Sequence, residues 1–279
     1  MDTLLTVLCD NCVGKSGFVG EHGFSLLIEQ GKEKYLFDTG PGMSLPLNLK
    51  AAGKDLDGLI KVIISHGHYD HTGGLKWVAE DAAGVEVVAH PALFSEHMIM
   101  DSESEGRAPR YIGCPFSRDE LEASGARFRF LDHTDQLSPG LWFISGIERI
   151  PAMLPSDGRL VRPEGGKLAP DTVEDDASLL LETHGAPILI MGCAHSGVLN
   201  ILRHLREKMR ITRLRGILGG THLMFYGPEH VSKTIEELER FSVQLIAVCH
   251  CTGMGAMVEL SKHFGNRFTP ASAGGVFTL

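Results

Sequence analysis

The sequence predicts an α/β protein in which two packed sheets carry helices on their outer faces, and three observations predict it. Each half of the 279 residues opens on strand-like runs and continues as strand–helix units. Glycine-bearing turns punctuate those runs, and no linker or low-complexity stretch separates the halves, so one domain over residues 1–279 is expected. The densest group of metal-capable side chains, in Ser65-His66-Gly67-His68-Tyr69-Asp70-His71, stands directly behind the apolar run Val62-Ile63-Ile64. Strand ends of α/β sheets are where such sites gather.

Taken in order, residues 3–9 are apolar and rich in strand formers. Residues 24–29 and 34–37 flank Gln30-Gly31-Lys32 and predict a hairpin. Residues 45–52 predict a short helix stopped near Gly53, 61–65 a buried strand, 74–81 a helix and 85–89 a strand. Pro91 suits the first turn of a helix over residues 91–100. Residues 101–120 mix acidic residues with Pro and Gly, and a loop of that length is expected to act as a lid. Strands at 128–130 and 141–144 follow, then a second lid-like insertion near 151–176. Residues 178–182 and 187–191 predict a second hairpin. A helix over 197–209, strand 215–218, helix 229–241, strand 244–248, helix 254–264 and a last strand near 275–279 complete the pattern.

With 43% hydrophobic and 22% charged residues, the composition is that of an ordinary globular protein. A net charge of −9 argues against bulk attraction to nucleic acid or an anionic membrane, so neither is expected as a partner. A small-molecule substrate is expected, anionic if a local basic pocket exists, and a homo-oligomer is compatible with the composition. There is no apolar run of about 18 residues. The start Met1-Asp2-Thr3-Leu4 has no basic leader pattern, so a cytoplasmic location is expected. The six cysteines read as thiols, because Cys9-x-x-Cys12 lacks a second pair at zinc-site spacing.

His66 and His68, two residues apart on an extended segment, project the same way. The loop behind them could then turn Asp70 and His71 toward a second ion. Imidazole and carboxylate suit zinc, iron or manganese better than calcium. His195, His222 and His250 each follow a short apolar strand and are expected to converge on the same edge. Asp38, also at a strand end, is expected to brace a ligand histidine through its second ring nitrogen.

The run His-Gly-His-Tyr-Asp-His, with Phe37-Asp38-Thr39-Gly40 upstream, resembles the metallo-β-lactamase superfamily over essentially the whole chain. The resemblance implies a four-layer αβ/βα sandwich, two mixed sheets with outer helices, holding one or two divalent ions. Zinc is the first expectation, with iron, manganese or magnesium as alternatives. His66, His68, Asp70 and His71 match the main motif, His195 the third-motif histidine and His250 the last. The family's bridging aspartate has no counterpart: Cys193 stands where Gly-Asp might align, and His222 occupies the next strand end. His222 is taken as the replacement ligand and Cys193 as a neighbour behind the ligands, with ligation its lesser role. The function implied is hydrolysis by metal-activated water on a phosphoester or lactone, with Asp70 and His222 catalytic.

Further segments, among them Glu21-His22-Gly23-Phe24-Ser25, Gly192-Cys193-Ala194-His195 and Cys249-His250-Cys251-Thr252-Gly253, are similar to one subgroup. It includes synthases that condense a dihydropterin methyl diphosphate with an aminobenzene ribotide in methanopterin-type biosynthesis. That alternative implies a cation for the ribosyl phosphate and flat walls for the pterin. Arg107, Arg110, Arg149, Arg159 and Arg162 are candidates for the first, Tyr111, Phe116 and Phe225 for the second. Asp10, Asn11 and His22 are expected to line the pocket, with Arg110 and Arg149 on the substrate. A non-catalytic metal sensor is the remaining alternative.

Overall fold

The computed structural model describes residues 3–100, 108–155 and 157–279. In chain order the first half runs β1 (Thr3–Cys9), β2 (Ser25–Gln30), β3 (Glu33–Phe37), α1 (Ser44–Ala52), β4 (Leu59–Ile63), α2 (Tyr69–Thr72), α3 (Leu75–Asp81) and β5 (Glu86–Ala89). Next come β6 (Met98–Ile99), β7 (Arg110–Tyr111), α4 (Arg118–Ala123), β8 (Arg127–Phe130), β9 (Asp135–Ser138), β10 (Leu141–Ile144), β11 (Leu160–Glu164) and β12 (Lys167–Pro170). The second half continues with β13 (Ser178–Leu181), β14 (Ile188–Met191), α5 (Val198–Lys208), β15 (Gly216–Gly220), α6 (Pro228–Arg240), β16 (Leu245–Cys249), α7 (Met254–Phe264), β17 (Phe268–Pro270) and β18 (Val276–Thr278).

Two seven-stranded sheets result, ordered β18-β1-β2-β3-β4-β5-β8 and β17-β16-β15-β14-β13-β10-β9. Each begins antiparallel and turns parallel, at β3–β4 in the first and β14–β15 in the second. Both faces of these strands are covered, so Leu26-Leu27-Ile28 and Ile188-Leu189-Ile190-Met191 are continuous apolar runs instead of alternating ones. The pleat still sorts them. Leu26, Ile28, Phe37 and Ile63 meet Phe143, Leu179, Leu181 and Ile190 between the sheets. The intervening Leu27, Leu36 and Val62 pack on α1 and α3 through Leu45, Leu49, Leu75 and Val78. On the other side Leu180, Leu189 and Met191 pack on Ile201, Leu205, Leu238 and Leu260 of α5, α6 and α7. The order is helix, sheet, sheet, helix, as expected.

Two expectations need correction and a third gains detail. Residues 91–100 do not form one helix: a single 3₁₀ turn, Pro91–Phe94, ends at an extended Ser95, and β6 follows. Strand pairing wins there, because β6 bonds both β7 and β11, whereas a helix this short is marginal without an apolar face to dock. Residues 151–176, expected as a lid-like insertion, carry the hairpin β11–β12, turned at Gly165-Gly166, both with positive φ (58° and 79°). Residues 118–123, of which 118–120 fall in the expected loop over 101–120, form α4 with a capping box between Ser117 and Glu120. Together β12-β11-β6-β7 make a third, four-stranded sheet from the two insertions. Residues 101–107 of the first lid candidate, Arg107 included, and Ser156 of the second lie outside the described residues. Among the described residues no helix is long and apolar enough to cross a membrane.

Candidate metal centre

The C-terminal ends of β3, β4, β14, β15 and β16 meet at one edge, and each is followed by a residue of the site: Asp38, Ser65–His71, Cys193–His195, His222 and His250. Asp38, Ala194, His222 and His250 all adopt positive φ (57°, 56°, 55° and 51°). A left-handed turn costs a non-glycine residue about 1–2 kcal/mol, and at Asp38, His222 and His250 it turns the side chain from the strand end into the centre, while Ala194 packs against the outer helices.

One buried carboxylate fixes the ring protons of two histidines. Asp38 accepts from the Ser65 amide at 2.7 Å and the Ser65 hydroxyl at 2.7 Å, and its Oδ2 lies 2.7 Å from His71 Nδ1. A carboxylate only accepts, so His71 carries its proton on Nδ1 and presents a bare Nε2. With its own hydrogen committed to Asp38, the Ser65 hydroxyl accepts from His66 Nδ1 at 2.9 Å, which leaves His66 Nε2 bare as well. Gly192 is required beside this network, because a Cβ there would strike Ser65 Oγ and lie 2.8 Å from Asp38 Oδ2.

His66, His68 and His195 bring donor nitrogens together on one side. His66 Nε2 and His68 Nδ1 are 2.9 Å apart. On the other side Asp70 Oδ2 lies 3.4 Å from His250 Nε2, 3.8 Å from His71 Nε2 and 3.5 Å from His22 Nε2. Asn11 distinguishes His250 from His22, both of which it touches. Its Oδ1 accepts from the Gly23 amide at 3.2 Å and lies 2.8 Å from His250 Nδ1, so Nδ1 carries a hydrogen and Nε2 is the nitrogen turned toward Asp70. Its Nδ2 donates to His22 Nδ1 at 3.1 Å, so His22 points an Nε2–H toward Asp70. Asp10 holds the His250 amide at 2.8 Å.

Electrostatics prepare the cluster for a cation. Burial pushes His66 and His195 well down and His68 to about 3, so their rings are neutral donors at physiological pH. Burial opposes ionisation of Asp70, but His71 and His250 overcome it and hold the carboxyl below its usual range. Burial likewise disfavours a charged His250, yet its bond to Asp70 and the nearby Cys251 raise it to about 9. Burial pushes the Cys193 thiol far up. His195 Nε2 and both ring nitrogens of His222 are buried without a hydrogen-bond partner. Unsatisfied buried nitrogens are costly unless a cation takes their lone pairs, so this His/Cys/Asp cluster fits divalent metal.

Sequence reasoning missed a layer behind His68. The His97 ring packs edge-on at 5.0 Å from it, with Nδ1 2.6 Å from Asp171 and Nε2 3.6 Å from Asp175. Asp175 also accepts from the Gly67 amide at 2.6 Å, and Asp176 from the Ser196 amide at 2.8 Å. The run Glu174-Asp175-Asp176, directly ahead of an apolar strand, was the one visible signal.

A cleft of about 850 Å³ opens over the centre, lined by His22, His68, Asp70, His195, His222 and His250 at its base. Arg110 and Arg159 stand on its wall, as do Phe225, Met224, Met254 and Met257. Arg159 is paired with both oxygens of Asp157 at 2.8 and 2.9 Å and stacks 5.0 Å over Phe225. Asp10 and Asn11 line the cleft too. Arg149, expected on the substrate, is not a lining residue; its guanidinium donates to the carbonyls of Thr172 and Val173. Nor do Tyr111, Phe116 or Arg162 line it: Tyr111 bonds the Cys114 carbonyl, Phe116 sits under Lys76, and Arg162 pairs with Glu164.

Comparison with known proteins agrees with this architecture. The family profile of the metallo-β-lactamase superfamily matches residues 19–212. A solved metal-dependent hydrolase of the β-lactamase superfamily, Tm1679, superposes with a TM-score of 0.85 at 27% identity, covering 99% of both chains. Two proteins of Methanocaldococcus jannaschii are similar. One is a 7,8-dihydropterin-6-methyl-4-(β-D-ribofuranosyl)-aminobenzene-5′-phosphate synthase, 28% identical over 93% of this chain and 90% of its own. The other, the uncharacterised protein MJ0448, is 28% identical over 93% of this chain and 94% of its own.

Proposed function

The chain belongs to the metallo-β-lactamase superfamily, and from that premise we propose that it is a metal-dependent hydrolase of an anionic phosphoester- or lactone-type substrate. The observation that carries this reading is Asp70, a carboxylate held ionised at the cleft floor and grouped with His22 and His250 beside the His66, His68 and His195 donors. One or two divalent ions would supply the Lewis acidity that makes water nucleophilic near neutral pH. The nitrogen-rich donor set favours zinc or iron over magnesium, which prefers oxygen. His66, His68 and His195 would hold one ion, Asp70, His71 and His250 the other, with His222 beside His195.

Asp70 then has two tasks: to orient the attacking water and to accept its proton. His22, exposed at the mouth with its Nε2 toward Asp70, would protonate a departing oxygen. His222 would stabilise the oxygen on which negative charge develops. Arg110 and Arg159 would bind the anionic end of the substrate and the Met/Phe wall its apolar part.

A second reading is favoured by the cleft itself. A space of about 850 Å³ with Phe225 stacked on Arg159 suits a flat heterocycle joined to a phosphate, and one relative is a dihydropterin-type synthase. The test compares zinc-loaded and chelator-stripped protein on a chromogenic phosphodiester, an aliphatic lactone, and a dihydropterin methyl diphosphate with an aminobenzene ribotide. Metal-dependent hydrolysis that drops about 100-fold or more in Asp70→Asn is expected. Condensation without hydrolysis would replace it with the synthase, and bound metal with no turnover of any substrate with a sensor.

A further inference from the structure

The superfamily resemblance leaves a gap where a bridging carboxylate is usual, and the side chains around that gap identify a substitute. His71 has its Nδ1 occupied by Asp38, so the bare Nε2 is the nitrogen that faces the centre. The nearest sulfur to it is Cys193 Sγ, at 3.2 Å. Zinc holding an imidazole nitrogen and a thiolate at their ordinary bond lengths, in tetrahedral array, sets the two atoms about 3.5 Å apart. The observed pair needs little movement to meet one ion.

Cys193 also reaches beyond His71. Its sulfur clusters with donors of His66 and His71, with those of His195 and His222, and with those of His250 and Cys251. It therefore touches both sets of donors, the set built on His66 and His195 and the set built on His71 and His250. The other sulfur nearby is already engaged with backbone: Cys251 Sγ accepts from the His222 amide at 3.3 Å and reaches the Cys193 carbonyl at 3.6 Å. Local geometry explains how Cys193 gets there. Gly192 lets the end of β14 lie against Ser65 and Asp38, and the left-handed Ala194 turns the chain back so that Cys193 and His195 face the same space.

From this arrangement we infer that Cys193 is a metal ligand, its thiolate seated between the two ion positions in the role usually filled by a carboxylate. On binding, the S–H proton leaves to solvent and the sulfur lone pair goes to the ion, with no change of oxidation state. A thiolate there shifts the donor set toward softer metals, zinc and iron over manganese and magnesium.

The inference rests on the metal-dependent reading above, and cobalt separates the two. The full-length chain is stripped of metal, reconstituted with cobalt(II) and read by absorption spectroscopy and elemental analysis. A near-ultraviolet sulfur-to-cobalt charge-transfer band is expected in the parent and in Cys251→Ser, and its loss in Cys193→Ser. Cys193→Asp, which restores a carboxylate, is expected to keep the parent's cobalt stoichiometry without the band. Bound cobalt with visible ligand-field bands but no charge transfer overturns the thiolate ligand and leaves the metalloenzyme standing. A band abolished in Cys251→Ser and retained in Cys193→Ser overturns it too. No cobalt or zinc bound to the parent sinks both. Should the Cys193 variants fail to fold, X-ray absorption of the zinc-loaded parent decides alone, since a sulfur scatterer at about 2.3 Å is expected and its absence is fatal.

Discussion

Replacing Asp38 by Asn tests whether one side chain sets the histidine tautomers. The change is isosteric and conserves packing at a fully buried position. Oδ1 can still accept from the Ser65 amide, but an NH₂ group now sits where Oδ2 met the Ser65 hydroxyl and His71 Nδ1. Either the His71 Nδ1–H is left without an acceptor, costing about 1–3 kcal/mol, or the ring proton moves to Nε2. The second outcome removes the lone pair that faces Cys193 and Asp70. Loss of such a support typically lowers metal affinity about 10–100-fold, equal to about 1.4–2.8 kcal/mol of binding. Asp38→Ala strands three hydrogens at once and should cost about 3 kcal/mol or more, a large part of the roughly 5–15 kcal/mol that holds a domain folded. Competition with a chromogenic zinc chelator measures the first variant, and urea unfolding of the metal-free protein measures both. Parent-like zinc affinity in folded Asp38→Asn would show that the tautomers are fixed elsewhere.

Other outcomes follow from the same geometry. His68→Ala should lose most of the bound metal and keep the parent's circular dichroism, since His68 sits at a strand end outside the packed core; equal metal content by elemental analysis contradicts this. His222→Ala should lower metal stoichiometry less than His66→Ala, and indistinguishable losses would end the division between a tight and a weak position. Burial pushes the Asp175 carboxyl up from 3.8 to about 6, so the folded metal-free protein holds a proton there that the unfolded chain releases. Its stability contribution should thus fall as pH rises from about 4 to 6, by roughly 3 kcal/mol at most. Asp175→Asn keeps an acceptor for Gly67 and should flatten that slope in urea titrations; an unchanged slope assigns it to other groups. Gly219→Ala forces a Cβ into the Met191 carbonyl at a φ of 108°, and a melting temperature within a degree of the parent's would contradict the close approach of β14 and β15.

Much of the fold was legible because its strands are buried on both faces and its helices amphipathic. Leu179-Leu180-Leu181 reads as a strand whichever sheet receives it. The strand-end histidines were legible for a related reason, as each polar residue interrupts an apolar run where the chain must turn. Asp38 could be placed behind a histidine on the same ground, and the structure sets it against His71. His97 and Asp171 were opaque because nothing periodic marks them. Their meeting depends on β6 pairing with β11 across 60 intervening residues, a contact no local pattern encodes. Arg149 misled for the opposite reason: a cation in an irregular segment can satisfy backbone carbonyls as well as a phosphate. The helix α4 was missed although Ser117-x-x-Glu120 is a readable start signal.

The plate made of β12, β11, β6 and β7 contributes Ile99, Arg110 and Leu160 to the cleft, yet none of the clustered donors lies on it. Donor cluster and outer cleft wall are thereby built from separate parts of the chain. Substitution in this outlying plate would reshape the cleft wall without touching the clustered donors. Two proteins of this architecture can thus share one donor cluster under differently shaped clefts.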